Sequence, residues 1–500
     1  MYYLLLLLFY IYCLPLTQNH VIIIRVGVYK KQKQILRIWK EKFMEKHHHE
    51  RSTFSGKLGF VLSAAGASVG LGNIWRFPYL AAKYGGGIFL LIYIILALTF
   101  GYSMIVAETA LGRMTRKSPV GAFGKFGKSK WLSFGGWINA IIPILIVPYY
   151  SVIGGWVLKY LKEYIMGNGK DLAADGYFSG FISNGVSTEI CFVVFCMFTL
   201  VIIYAGVRNG IERVSKLMMP VLIVLSVIIA IYSVTRPGAM AGVKYFLIPN
   251  FKNFSWMSVV AAMGQMFYSL SIAMGILVTF GSYMKKETSI EDSTRNVEIF
   301  DTAIAMMAGL MIIPAVFAFS GGDPDTLQAG PSLMFITIPK VFQNMGFGTA
   351  IGILFFLLVL FAAVTSSIAL TESAVSTFED EIGWSRQKAT VVVGVIMLLL
   401  GTLSCLGYGP LAFVKIIGMQ FLDFFDFLTN SVMMPIAALM TSLLVSRVVG
   451  IDRIEEEIRH GENSFRRKKI FVVMIKYLCP IFTMIILASS VANAFGWISM

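Results

Sequence analysis

Residues 58–82 are apolar for long enough to cross a bilayer, yet they contain Gly66-Ala67-Ser68-Val69-Gly70-Leu71-Gly72-Asn73-Ile74-Trp75-Arg76-Phe77-Pro78. This stretch constrains the fold more than any other. A spanning helix satisfies its own backbone, and three closely spaced glycines with a proline just beyond them argue against a continuous one. Non-helical backbone at membrane depth survives only where it is buried in protein or lines a cavity. The stretch therefore predicts a broken helix whose bare carbonyls and amides face a binding site. Asn73 adds a neutral oxygen donor, and Arg76 a charge near one end, where a lid would use it. The competing reading is a glycine face for close helix packing.

The remainder sets the class. Of 500 residues, 57% are hydrophobic and 14% charged, and the mean hydropathy is +0.75. That is a polytopic membrane protein. The net charge of +15 argues by its placement for membrane topology and not for nucleic acid. The cysteines and histidines have no metal or redox spacing. Residues 1–43 form an atypical leader. A short apolar run, 1–16, precedes a basic stretch, 25–46, the reverse of a signal peptide, and translation is expected to start at Met44.

From there the hydropathy predicts an all-α chain of eleven spans, at 58–82, 88–111, 134–161, 188–205, 214–235, 256–284, 297–320, 348–378, 389–406, 413–445 and 470–495. Lysine and arginine crowd the even-numbered connections. Arg113, Arg116, Lys117, Lys125, Lys128 and Lys130 follow the second span. Arg208, Arg213 and Lys216 follow the fourth, and Arg447, Arg453, Arg459 and Arg466 to Lys469 the tenth. Positive charge favours the cytoplasm, so the N-terminus is expected inside and the C-terminus outside a plasma membrane. The sixth span carries Gly264-Gln265-Met266-Phe267-Tyr268-Ser269-Leu270-Ser271-Ile272-Ala273-Met274-Gly275, a second interruption. Interrupted segments at matching places in two five-span halves point to a transporter with inverted repeats, here about 57–236 and 256–446 with an extra helix at 470–495.

On the motifs Gly70-Leu71-Gly72-Asn73-Ile74-Trp75-Arg76-Phe77-Pro78, Gly264 to Ser271 and Ala362-Ala363-Val364-Thr365-Ser366-Ser367, the chain resembles a bacterial member of the neurotransmitter:sodium symporter family, with a LeuT-type fold. The resemblance implies sodium-coupled import of an amino acid by alternating access. Sodium is a hard cation that takes oxygen ligands. The family pattern implies two sodium sites. One uses the Ser68 carbonyl, Asn73, Ser269 and the substrate carboxylate. The other uses carbonyls of Gly66, Val69 and Ala362 with the hydroxyls of Thr365 and Ser366, which on their own read more readily as ordinary back-bonded hydroxyls. Asp301, read as opening the seventh span, is expected to supply an internal negative charge in place of chloride.

Amine-carrying members place an aspartate where Gly70 stands, so the expected substrate is an amino acid. By matching positions its side chain meets Ile146, Tyr150, Ser271, Met274, Ser366 and Leu370, and Ala67, Ser68, Gly72, Tyr268 and Ser269 complete the site. That lining predicts an apolar, aromatic or large aliphatic L-amino acid. Tyr150 and Tyr268 would close over it, with Arg76 pairing outside with Asp426, or with its rival Asp423. Inside, Arg51 would pair with Asp380, and Phe54 and Tyr283 would pack around them. The fifth span, with Gly210 and Pro220, resembles a family segment that unwinds. A channel would need a ring of charges, and an enzyme a nucleophile or metal constellation; neither is present in the sequence. A non-transporting amino-acid sensor on the same fold is the alternative.

Overall fold

The computed structural model describes residues 52–127, 129–321 and 331–497. The leader, Met44 and Arg51 lie outside the described residues. Among the described residues, nine helices are long and apolar enough to cross a membrane: Gly87–Thr115, Lys130–Ile165, Gly185–Tyr204, Val207–Val234, Ile290–Ser320, Gly348–Ile382, Arg386–Leu406, Phe421–Val449 and Lys468–Ala494. A tenth span is the pair Lys57–Ser68 and Gly72–Lys83, bent by 53° at the break. The helices Trp256–Ser269 and Ile276–Ser282 flank a second break, and counting them as one span gives the sequence order of eleven. The spans are numbered in that order below.

The break in span 1 is narrower than the glycine pattern suggests. Gly66 lies inside the first half-helix, and only Val69, Gly70 and Leu71 leave it. Pro78 does not end anything. It lies inside the second half-helix, Gly72–Lys83, where the π-helical turn Gly72–Arg76 passes into α-helix. Likewise Gly264 sits within Trp256–Ser269, and the break in span 6 is 270–275. There Ser271 and Ala273 take left-handed backbone angles, φ 53° and 60°, alongside Gly275 at 69°. Two non-glycine residues in that region are strained and persist only where surroundings hold them.

Contacts between spans repeat under exchange of each span with the one five further on. Span 2 packs on both halves of span 6, and span 7 on both halves of span 1; spans 3 and 8 pack on each other, as do 4 and 9. Span 4 packs on 3 as 9 packs on 8, and span 5 on 8 as 10 packs on 3. These are the contacts of two inverted five-helix repeats, with span 11 outside them against span 10.

Two expectations are corrected, the start of span 10 and the place of Asp301. Span 10 starts at Phe421 and not near 413, because Gly407, Gly409 and Pro410 end the previous helix and Ile417 and Gly418 turn with positive φ. Asp301 does not open span 7. Ser289 caps that helix through Asp292 N at 3.0 Å, which puts Asp301 about three turns inside it, fully buried. In this conformation span 5 is not interrupted at Pro220, since Arg213–Val234 runs through it after a π-helical turn, Val207–Glu212. Nor is Arg113 a free loop charge. It is buried and pairs at 2.8 Å with Glu457 of Ile451–Arg459, a short amphipathic helix that buries Ile454 and Ile458.

Candidate functional site

The two breaks face each other, and each is satisfied by groups from other spans, as buried backbone must be. Ser271 Oγ donates to the Ala67 carbonyl at 3.0 Å, and Gln265 Nε2 to the Gly72 carbonyl at 3.0 Å, joining span 6 to span 1. From span 8, Ser366 Oγ lies 3.1 Å from the Ala67 carbonyl and 3.3 Å from that of Gly66. From span 3, Tyr150 Oη accepts from Leu71 N at 3.3 Å. From span 2, Glu108 Oε1 accepts from Ala273 N at 2.8 Å and fixes the strained turn of span 6.

Between the breaks lies a small cavity. Its lining contains Ala67, Ser68, Gly72, Ile146, Tyr150, Tyr268, Ser271, Met274, Ser366 and Leu370, together with Gly70, Leu71, Asn73 and Ile276. The expected substrate residues therefore converge, with one exception. Ser269 is not in this lining, because its hydroxyl turns away to Asp301. Two glycines matter by their lack of a side chain. A Cβ on Gly70 would sit 2.7 Å from Ser366 Oγ and 3.1 Å from Tyr150 Oη, and one on Gly72 2.4 Å from the Tyr268 ring.

Behind the cavity, Asp301 gathers the groups expected around the first sodium. Asn73 Nδ2, Ser269 Oγ and Tyr93 Oη each donate to its carboxylate at 2.8 Å. Asn73 Oδ1 accepts from Gly70 N at 3.3 Å, so the same side chain closes the break in span 1. Full burial with three donors is not the setting of a helix-end surface aspartate. At the expected second site, spans 1 and 8 approach closely: a Cβ on Gly66 would meet Thr365 Cβ at 3.2 Å. Thr365 Oγ1 donates to the carbonyls of Phe361 at 3.0 Å and Ala362 at 3.2 Å. That is the back-bonded arrangement, and it leaves oxygen lone pairs for a cation. Val69 is the residue at which the first half-helix ends, its N–H reaching Ala65 O at 2.7 Å.

Arg76 and Asp426 border one further cavity without forming an ion pair, and the Arg76 guanidinium lies 5.4 Å over the Tyr268 ring. Asp423, the rival partner, accepts instead from Tyr408 Oη at 3.0 Å. At the opposite end Arg51, the expected partner of Asp380, lies outside the described residues; Asp380 accepts from Ser118 N at 2.5 Å. Phe54 packs edge-on against Tyr283 with ring centroids 6.0 Å apart, and Tyr283 Oη donates to Glu372 Oε1 at 2.6 Å. Arg386 grips the same buried carboxylate at 3.0 and 2.5 Å.

Sequence reasoning missed Glu108, Tyr93, Tyr149, Gln265 and the Glu372–Arg386 pair. For Glu108 and Glu372 the signal was present, since a carboxylate inside an apolar span is a functional candidate by default.

The family model described as the sodium:neurotransmitter symporter family matches residues 51–168 and 179–496. An uncharacterised sodium-dependent transporter of Bacillus subtilis, YhdH, is 37% identical over 415 residues, covering 82% of this chain and 91% of that one. The human sodium- and chloride-dependent GABA transporter 2 is 28% identical over 82% of this chain and 75% of its own length. Among solved structures, that of MhsT in complex with L-phenylalanine matches with a TM-score of 0.79 at 35% identity, over 88% of this chain and all of that one (100%). Similarity of this extent, on a fold with two broken spans, settles the family: the chain belongs to the sodium:neurotransmitter symporter family and is a sodium-dependent transporter, not an enzyme.

Proposed function

We propose that the chain imports an apolar L-amino acid, aromatic or large aliphatic, with sodium and without chloride. The observation that carries this is the space around Gly70. Ser366 and Tyr150 close in on it, so there is no room for the carboxylate that an amine without its own carboxyl group would need. An amino acid brings its carboxylate with it. Its side chain would rest on Ile146, Met274, Ile276 and Leu370, where a charged group would lack a partner and be costly to desolvate. The similarity to MhsT, whose structure holds L-phenylalanine, supports the same class.

Two sodium ions fit the oxygen groups at the breaks, one at Ser68, Asn73 and Ser269 beside Asp301, the other at Gly66, Val69, Ala362, Thr365 and Ser366. Asp301 carries the internal negative charge that makes chloride unnecessary. The N-terminus lies in the cytoplasm and the C-terminus outside the plasma membrane, and Arg76 with Asp426 forms the outer gate. The test is competition of unlabelled amino acids against labelled L-tryptophan and L-leucine for sodium-driven uptake into proteoliposomes. Several apolar amino acids should compete, because one methylene discriminates by only about 1–3 kcal/mol. Competition by glutamate, lysine or a decarboxylated amine, with none by the apolar set, refutes the reading. Sodium-dependent binding without uptake would instead favour a sensor.

A further inference from the structure

The outer cavity is bordered by Arg76, Gly264, Tyr268, Asp426, Asn430 and the span 11 residue Ser490, among others. Within it Asp426 is already held, though not by Arg76. Asn430 Nδ2 donates to Asp426 Oδ1 at 2.5 Å, and Tyr149 Oη to the same oxygen at 3.2 Å. Asn430 Nδ2 also reaches Tyr149 Oη at 3.2 Å, and Thr429 Oγ1 lies 3.3 Å from that hydroxyl. A carboxylate only accepts, so the amide must present its nitrogen to Asp426, and its other end is the carbonyl oxygen. That oxygen, Asn430 Oδ1, is shielded from solvent and accepts no hydrogen bond. A polar atom in that state costs desolvation with no return. The helix Phe421–Asp426 passes at this point into a π-helical segment, Phe427–Met433. Such segments recur at functional sites.

We propose that Asn430 is a positioning residue of the outer gate, and that the closing Arg76 is received by two acceptors, the Asp426 carboxylate and the Asn430 carbonyl oxygen. The guanidinium presents five N–H donors in a planar fork, which suits two oxygens side by side. The amide nitrogen meanwhile keeps Asp426 turned toward the same place. Asn430 thus gives the gate a second acceptor without a second negative charge. The proposal rests on the reading of Arg76 and Asp426 as the outer gate of a transporter.

A cysteine at Gly264 reports on the gate, since a side chain there meets nothing within 4 Å. The full-length Gly264→Cys protein in proteoliposomes is labelled with a membrane-impermeant maleimide, in potassium and again in sodium with L-phenylalanine. Arg76→Ala, Asn430→Leu and the double variant are compared. Asn430→Leu should speed labelling about tenfold, the loss expected for one hydrogen bond to a charged group. In the Arg76→Ala background it should add nothing, because its partner is gone. A structural role alone would speed labelling by its full factor in both backgrounds, and that result overturns the role of Asn430 while leaving the gate intact. A labelling rate unchanged by Arg76→Ala overturns gate and role together. If Asn430→Leu does not fold, Asn430→Ala is read by the same cycle.

Discussion

Replacing Asp301 by asparagine isolates the charge from the shape. The carboxylate takes 2.8 Å hydrogen bonds from Asn73 and Ser269 on Oδ1 and from Tyr93 on Oδ2. An asparagine keeps Oδ1 for the first two and turns its NH₂ toward Tyr93, whose hydroxyl can accept. The loss in stability is therefore small, on the order of 1 kcal/mol for one weakened bond. The loss at the sodium site is larger. A cation held by Asn73 and Ser269 sits on the order of 5 Å from the carboxylate, and at an effective dielectric of about 20 their attraction is about 3 kcal/mol, roughly two orders of magnitude in affinity. The assay is a sodium titration of substrate uptake in chloride-free gluconate. Asp301→Asn should need about a hundred times more sodium there, and adding chloride should restore part of the loss. Absence of uptake by the unmodified protein in gluconate refutes the reasoning, as does an unchanged sodium dependence in a folded Asp301→Asn.

Two further outcomes follow from the same geometry. Thr365→Ala with Ser366→Ala removes two hydroxyls from the second sodium site and leaves only small voids, so the folded protein should bind sodium much more weakly; unchanged sodium dependence would sink that assignment. Glu108→Ala strips Ala273 N of its acceptor and should cost about 1–3 kcal/mol, read as a loss of about ten- to a hundredfold in amino-acid affinity, whereas Glu108→Gln keeps an acceptor oxygen and should retain most of it; equal losses in the two would show that the bond to Ala273 is not what Glu108 contributes.

The spans were legible because apolar runs of membrane length leave little freedom, and most of their limits shifted by only a few residues. The breaks were legible as glycine-rich interruptions, yet their exact residues were not. Gly66 and Gly264 are helical, while the non-glycine Ser271 and Ala273 take the left-handed angles. What decides this is long-range. Glu108 lies 165 residues from Ala273, and Tyr150 is 79 from Leu71. Asp301 was misplaced for a related reason. The polar start of span 7, Glu291 to Arg295, looks like a loop by hydropathy. It is helical because neighbours satisfy it: Tyr102 and the backbone of Arg466 and Arg467 all donate to Glu291. The late start of span 10 was written in Gly407, Gly409 and Pro410, whose breaking effect the apolar residues after them masked.

The distribution of hydrogen bonds around the breaks also says where the molecule can part. Spans 1 and 6 are tied to each other through Ser271–Ala67 and Gln265–Gly72. They are tied to span 7 through Asp301, and to span 2 through Tyr93–Ser269 and Glu108–Ala273. Toward spans 3 and 8 the polar ties at the breaks are Tyr150 to Leu71 and Ser366 to the Gly66 and Ala67 carbonyls, at 3.1 to 3.3 Å. Both side chains line the cavity between the breaks, and Ser366 also belongs to the expected second sodium site. The cavity and that site therefore lie on the seam between a group of spans, 1, 2, 6 and 7, and the pair 3 and 8. A ligand seated on such a seam touches both sides, and it shifts the balance between open and closed states by the difference in its affinity for the two. The first sodium expected at Asp301 would have its protein ligands on spans 1, 6 and 7 and would brace one side of the seam. The second would bridge it. On this division the proposed first ion would fix the shape of the substrate site, and the second would set how readily the two sides separate.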